Sequence, residues 1–515
     1  LRRAAAAAFA VAALVLASGS LAQPDVDADV SNEEEPSGDS DDEPASSPQP
    51  AAPDPMAEES LEAAAEGPLD AADAAGAGAA PEELAGDVEP PEGAAEDDWG
   101  EFDEWEDEDG DGSGGKAVDF QLGGFVEGLV APRVVRSAAS ANEFVAAEAR
   151  FRLNLDAVHE IAGARFRGDV FVDGVQSRVW FDIRDASVFV RGGNWFNMRF
   201  GRMVLTWGTG DFLFLNDLFP KDFQSFFIGR ADEYLKAPSN SIITTFTIKK
   251  VGLDLVWTPI FESDRFIEGQ RLSFFNPQPP NPGIIGDRSP LTPIDPRYPD
   301  RRLRNGTLHG RLYGTAGAFE LAAYGYVGYW PQPNAIDFAA QRLTFARLGV
   351  YGASVRGPLL GGLFNVEGAF YHSFEDGKGI DPEIPNSQFR GLFGYERELF
   401  PKFQMGLQYY LEYTLQHDEL IASSPWPQFE PHEFRHLVTV RLTQLLVMDT
   451  LELSLFVFFS PDELDTYIRP RITYKIIEPL ALVVGANLMF GRDDYTFFGQ
   501  LEENTNVYVR LRYSF

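Results

Sequence analysis

The sequence predicts an all-β fold: a transmembrane antiparallel β-barrel of about 18 strands, with 16 as the alternative count, behind a disordered acidic N-terminal extension. Three observations carry this. From Lys116 onward, apolar and polar residues alternate with period two in segment after segment, the pattern of strands with one apolar face. No run of 18 apolar residues interrupts them, so no spanning helix is expected. Tight and long connections alternate along the chain, as they do when the two ends of a spanning barrel differ.

The chain divides into three parts. In residues 1–22, Arg2 and Arg3 precede "AAAAAFAVAALVLA", and small residues lead to Ala22. A basic start, a short apolar run and a small-x-small site predict a signal peptide cleaved after Ala22. Residues 23–115 are rich in Ala, Pro, Asp, Glu and Gly and cannot bury enough apolar surface to offset ordering entropy. Residues 23–116 hold 33 Asp and Glu against Lys116 alone, whereas residues 117–515 carry 39 Lys and Arg against 46 Asp and Glu. The net charge of −37 therefore belongs mostly to the extension. There Asp107, Asp109, Asp111 and Gly112 open a D-x-D-x-D-G pattern, but Val118 stands where an EF-hand closes on Glu. A solvated acidic tether is the expectation, with Trp99, Phe102 and Trp105 as a short motif for an envelope partner. Cysteine is absent, which excludes disulfides, thiolate metal sites and thiol nucleophiles.

Residues 116–515 form the barrel. In "EARFRLNLD", Phe151, Leu153 and Leu155 oppose Arg150, Arg152, Asn154 and Asp156. In "FQMGLQYYLEYTL", Phe403, Met405, Leu407, Tyr409, Leu411 and Tyr413 oppose Gln404, Gln408, Tyr410, Glu412 and Thr414. "YIRPRITYKI" and the final "NVYVRLRYSF" repeat the pattern. Tight turns are expected at 249–252, 315–318, 358–362 and 400–402. Long loops are expected at 207–238, 259–303, 375–386 and 416–433, the second of them a cover outside the barrel.

If the apolar faces meet lipid, the other faces line a lumen. Arg150 and Arg152 (strand 2), Arg165 and Arg167 (strand 3), Arg435 and Arg441 (strand 14), Arg469, Arg471 and Lys475 (strand 16), and Arg510 and Arg512 (strand 18) then form one basic arc. Asp254, Glu320, Glu367 and Glu412, on strands 7, 9, 11 and 13, face it. Such an arrangement makes a transverse field focused by the low-dielectric wall. The structural alternative is bracing, with these arginines paired to Glu127, Asp156, Asp169 and Asp173. The segment 207–238 carries Phe212, Phe214, Phe219, Phe223, Phe226 and Phe227 and needs cover. It either enters the barrel as a constriction with Asp211, Asp217, Lys221, Asp222 and Arg230 at the opening, or packs on itself outside the mouth.

Enzymatic readings fail on geometry. "PHEFRH" (431–436) spells the His-Glu-x-x-His zinc motif, but it follows a Pro-rich loop and leads into a strand. There His432 and His436 stand about 13 Å apart, at roughly 3.3 Å per residue, too far to share one zinc. His372 beside Ser373, and His417 beside Asp418, are neighbours that an extended chain points to opposite faces. No enzyme, metal, cofactor or nucleic-acid partner is expected.

Two stretches carry a family likeness. Phe515, with Tyr513, Leu511 and Val509 at alternate positions before it, resembles the terminal signal of bacterial outer-membrane proteins. That likeness implies recognition of Phe515 by the outer-membrane assembly machinery, and contact with outer-membrane lipid. "GRMVLTWGTGDFLFLNDLFPKDF" (201–223) is similar to a motif of large porin-like barrels of proteobacteria, at Gly201, Arg202, Trp207, Gly208, Asp211, Asp217, Pro220 and Asp222. The size and strand number also resemble the alginate-export type, without any match at a substrate site. The resemblance implies passive passage of small hydrophilic or charged solutes through the outer membrane of a Gram-negative bacterium, with the extension in the periplasm. The rival expectation is a non-conducting anchor whose extension recruits an envelope partner.

Overall fold

The computed structural model describes residues 118–277 and 282–515. The signal segment, the acidic extension with its Asp107–Gly112 stretch, and Trp99, Phe102 and Trp105 lie outside the described residues.

Among the described residues, 18 strands form one antiparallel sheet. They are β1 (Asp119–Pro132), β2 (Phe144–His159), β3 (Ala162–Asp173), β4 (Arg178–Arg191), β5 (Phe196–Met203) and β6 (Ser239–Ile248). Next come β7 (Val251–Thr258), β8 (Thr307–Ala316), β9 (Phe319–Tyr329), β10 (Arg347–Leu359), β11 (Gly362–Ser373) and β12 (Gln388–Phe400). The last six are β13 (Phe403–Thr414), β14 (Phe434–Leu446), β15 (Leu451–Ser460), β16 (Asp465–Ile477), β17 (Leu480–Phe490) and β18 (Asn506–Ser514). Each strand pairs with its sequence neighbours, and β18 pairs back onto β1, with Val126 opposite Tyr513 and Leu129 opposite Arg510. Closure leaves no edge strand with unpaired backbone groups, the condition for a sheet to cross a bilayer.

The period-two pattern determines which face is which. On β18, Asn506, Tyr508 and Arg510 are buried while Val507 and Val509 are exposed. The same holds around the ring: Phe151, Val170, Phe181, Leu255, Leu312, Val366, Phe393 and Leu407 are exposed on the outer face. In a water-soluble protein such a band would be buried; here it is the surface a hydrocarbon layer covers. The core is correspondingly inside the barrel. Leu215, Leu218, Phe226, Phe227 and Leu235, from the β5–β6 connection, pack there against Tyr371, Leu392, Tyr410, Phe456 and Tyr467 from the wall.

The two ends differ as expected. One end carries short connections, such as 249–250 and 401–402, together with the start of β1 and the end of β18. The other carries 133–143, 204–238, 259–306, 330–346, 374–387, 415–433 and 491–505, with only 174–177 and 461–464 short.

Candidate functional site

The site is the lumen and the connection 204–238 that crosses it. β5 ends in the Gly-Arg pair of the porin-like stretch. Gly201 has φ 131°, and a Cβ there would collide with the Ala186 carbonyl oxygen, so no other residue fits this backbone. The Arg202 guanidinium donates to the Ile183 carbonyl at 2.8 Å and pairs with Glu262 at 3.1 Å. Trp207 is buried edge-on against Phe219. Gly208, with φ 91°, turns the chain inward and delivers the Thr209 N–H to the Glu367 carboxylate on β11. Asn216 also donates to Glu367, at 3.0 Å, and the Tyr371 hydroxyl donates to the Leu215 carbonyl at 2.6 Å. A short helix, α1 (Phe223–Phe227), follows, capped by Asp222, which accepts from the Ser225 N–H at 2.8 Å.

Beyond α1 the segment reaches the opposite wall. Arg230 forms a two-pronged pair with Glu148 of β2, at 2.6 and 2.9 Å. Asp232 accepts from Arg469 at 2.8 Å and Arg471 at 2.7 Å, both on β16. Glu233 accepts from Arg152 of β2 at 2.8 Å and Arg512 of β18 at 2.9 Å. The Tyr234 hydroxyl donates to Asp169 of β3 at 2.8 Å and accepts from Arg152 at 2.6 Å. Its ring lies 3.5 Å from the Arg150 guanidinium carbon, with Phe171 on a second side of that cation at 4.2 Å. β2 and β11 stand nine strands apart in a ring of 18, so the segment runs from wall to wall.

All the charges assigned to the lumen from the sequence share the parity of buried positions on their strands. Most of the basic ones have carboxylate partners. Arg165 pairs with Asp156 at 3.1 Å, Arg152 with Asp169 at 2.6 Å, and Arg435 with Glu463 at 3.1 Å. Arg441 pairs with Glu396 at 2.7 Å and Asp211 at 3.2 Å. Glu127 sits between Arg512 at 2.8 Å, Arg510 at 3.6 Å and Arg150 at 3.8 Å. Arg167 stands opposite Asn154 and Asp185 in the ladder. Lys475 lies exposed at the short-turn end of β16. On the facing wall Asp254 pairs with Arg311 at 2.9 Å and Glu412 with Arg390 at 3.2 Å. Glu320 is exposed, opposite Arg356 in the ladder. The loop residues are paired too: Asp217 with Lys221 at 2.8 Å, Asp222 with Arg265 at 3.4 Å, and Arg230 with Glu148 as described; Asp217, Lys221, Asp222 and Arg230 are all deeply buried. The structure thus brings the basic arc together with Asp232 and Glu233, which sequence reasoning did not single out, and with Glu148, Tyr234 and Arg271. The clue was local: "RADEY" (230–234) places charges inside an otherwise aromatic segment.

The 259–306 loop also reaches inward. Arg265 pairs with Asp182 of β4 at 2.9 Å, and Arg271 pairs with Asp173 and with Glu148. Asp264 accepts the Lys221 N–H at 2.8 Å. Burial pushes its carboxyl up to about 6, against the lowering influence of the Lys221 N–H and ammonium and of Gln332, with Asp217 adding repulsion. Because the folded-state value is raised, the associated stability is present below about pH 4 and is lost as pH rises through 6. Asp264→Asn keeps the acceptor oxygen and removes the charge. It is expected to stabilise this loop contact by about 2–3 kcal/mol at pH 8 and by little at pH 4. Amide hydrogen exchange of residues 219–223 and 262–266, compared at the two pH values, reads the difference.

The zinc-type residues are not assembled. His436 is in the extended β14, its Nδ1 2.7 Å from the Tyr409 hydroxyl, and His432 precedes the strand. His372 stacks on Phe370 and meets Phe374 edge-on, while Ser373 is buried. The His417 ring meets the Pro431 carbonyl. Among the described residues no group of three His, Asp or Glu could hold a metal.

No family model and no curated relative matches the sequence. Solved structures do resemble the chain. OccAB1 of Acinetobacter baumannii aligns with 10% identity and a TM-score of 0.48, over 77% of this chain and 96% of that one. OccD3 of Pseudomonas aeruginosa aligns with 9% identity and a TM-score of 0.45, over 77% and 90%. A mutant of the Rhodopseudomonas blastica porin aligns with 9% identity and a TM-score of 0.34, over 77% and 100%. By its own strand order, closure and inverted core, the chain is a closed, 18-stranded antiparallel β-barrel.

Proposed function

We propose that the chain is a porin-like channel of the outer membrane of a Gram-negative bacterium, passing small hydrophilic or charged solutes by diffusion. The observation that carries this is the sorting of side chains: an apolar outer face around a lumen walled by guanidiniums and carboxylates. A barrel serving only as an anchor has no need of a charged interior, since buried ion pairs are weak sources of stability. Passage is selective because the fixed charges replace part of a solute's hydration. The basic arc gathers the arginines of β2, β16 and β18 on one wall, which favours an anionic group there. Transport, with no catalysis, is the activity; Phe515 is the residue the assembly machinery would recognise, and the acidic extension would lie in the periplasm.

Liposomes holding the full chain should admit a small monocarboxylate faster than a primary amine of equal size. Influx equal to that of protein-free liposomes for both solutes would refute the proposal.

A further inference from the structure

The long-loop end holds a half-open cavity of about 420 Å³, within the size range of small-molecule sites. Its lining is predominantly apolar and aromatic: Phe223 and Phe227 of α1, Phe266 and Leu291 of the 259–306 loop, Trp426 and Phe497. Two charged residues border it, Asp295 and Arg342, and they pair with each other at 2.6 Å. Arg342 also donates to the Asp295 carbonyl at 2.8 Å. Two of the lining amides are similarly engaged. Gln500 accepts from the Phe275 N–H and donates to the Phe497 carbonyl, and Gln332 bonds Asp264.

A charged solute entering this space would lose hydration and find no free counter-charge, which is costly. An uncharged ring system would gain aromatic contact on several sides. We infer that the cavity is a binding site for an uncharged aromatic or alicyclic solute of about one or two rings. This chemistry is opposite to that of the lumen, and the site does not require the lumen to conduct. Its floor is α1, the part of the lumen-crossing segment whose continuation carries Asp232 and Glu233.

The test uses the full chain in lipid nanodiscs and naphthol as the probe, with binding read by equilibrium dialysis against empty nanodiscs. Saturable uptake of one equivalent is expected. Naphthalene sulfonate should bind at least about tenfold more weakly. Leu291→Glu, at a position 55% exposed, should weaken naphthol binding about tenfold, whereas Lys402→Gln, at the short-turn end of the barrel, should leave it unchanged. Heat-dependent gel mobility reports whether each variant is folded. If Leu291→Glu fails to fold, the comparison of the two probes on the unaltered chain decides. Absence of saturable naphthol uptake, equal binding of the sulfonate, or undiminished binding by a folded Leu291→Glu overturns the inference.

Discussion

Glu148→Gln is expected to lower the stability of the folded barrel by about 3–5 kcal/mol, the largest effect of any single lumen substitution. Glu148, like Glu127, lies within reach of three guanidiniums, and its three are the more deeply buried: Arg230 at 2.6 Å, Arg271 at 3.2 Å and Arg150 at 3.6 Å. All four side chains are nearly inaccessible to solvent. Each of the three arginines comes from a different element: the lumen-crossing segment, the 259–306 loop and the β2 wall. Removing the negative charge leaves three buried cations with only Asp173, Asp222 and Glu127 to compensate them, and the penalty is the desolvation of those cations rather than the loss of one contact. Lys402→Gln is the control. Lys402 pairs with Asp449 at 2.6 Å, but both side chains are about half exposed, so a change under about 1 kcal/mol is expected. Denaturant titration of the folded chain in detergent measures both.

The double substitution Asp232→Asn with Glu233→Gln is expected to raise anion over cation permeability by a factor on the order of 3–10. Asp232 holds Arg469 and Arg471, and Glu233 holds Arg152 and Arg512. These four arginines span β16, β18 and β2, the heart of the basic arc. Neutralising two carboxylates uncovers their charge without changing side-chain volume, so the field across the lumen strengthens while its width stays similar. The reversal potential under a salt gradient gives the ratio. An unchanged reversal potential with normal conductance would mean that ions pass elsewhere than along this wall.

How much of this was legible in the sequence follows from the range of each interaction. Strand number, faces and turns were readable because period-two alternation is local: Val507 and Val509 against Asn506, Tyr508 and Arg510 need only nine residues of context. The position of Arg469 on the inner face was equally local. Its partner was not, because Asp232 lies 237 residues away and nothing in the intervening chain marks the pairing. The aromatic content of 207–238 announced that the segment needs cover, yet could not choose between a cap and a crossing. That choice rests on Gly208 turning inward and on Glu367 receiving Thr209 and Asn216. The loop at 259–303 was read as a cover; the contacts of Arg265 and Arg271 with wall carboxylates tie it to the barrel interior as well. Glu148 passed unnoticed because a lone Glu among alanines in "FVAAEAR" carries no periodic signal.

The measurement that bears most directly on the account is single-channel conductance of the full chain in a planar lipid bilayer, with a salt gradient across it. Stepwise currents with a stable unit conductance and an anion-leaning reversal potential are the expected result. A bilayer that stays silent, with the inserted chain shown to be folded by its heat-dependent gel mobility, would contradict the channel and leave the barrel a closed structural body.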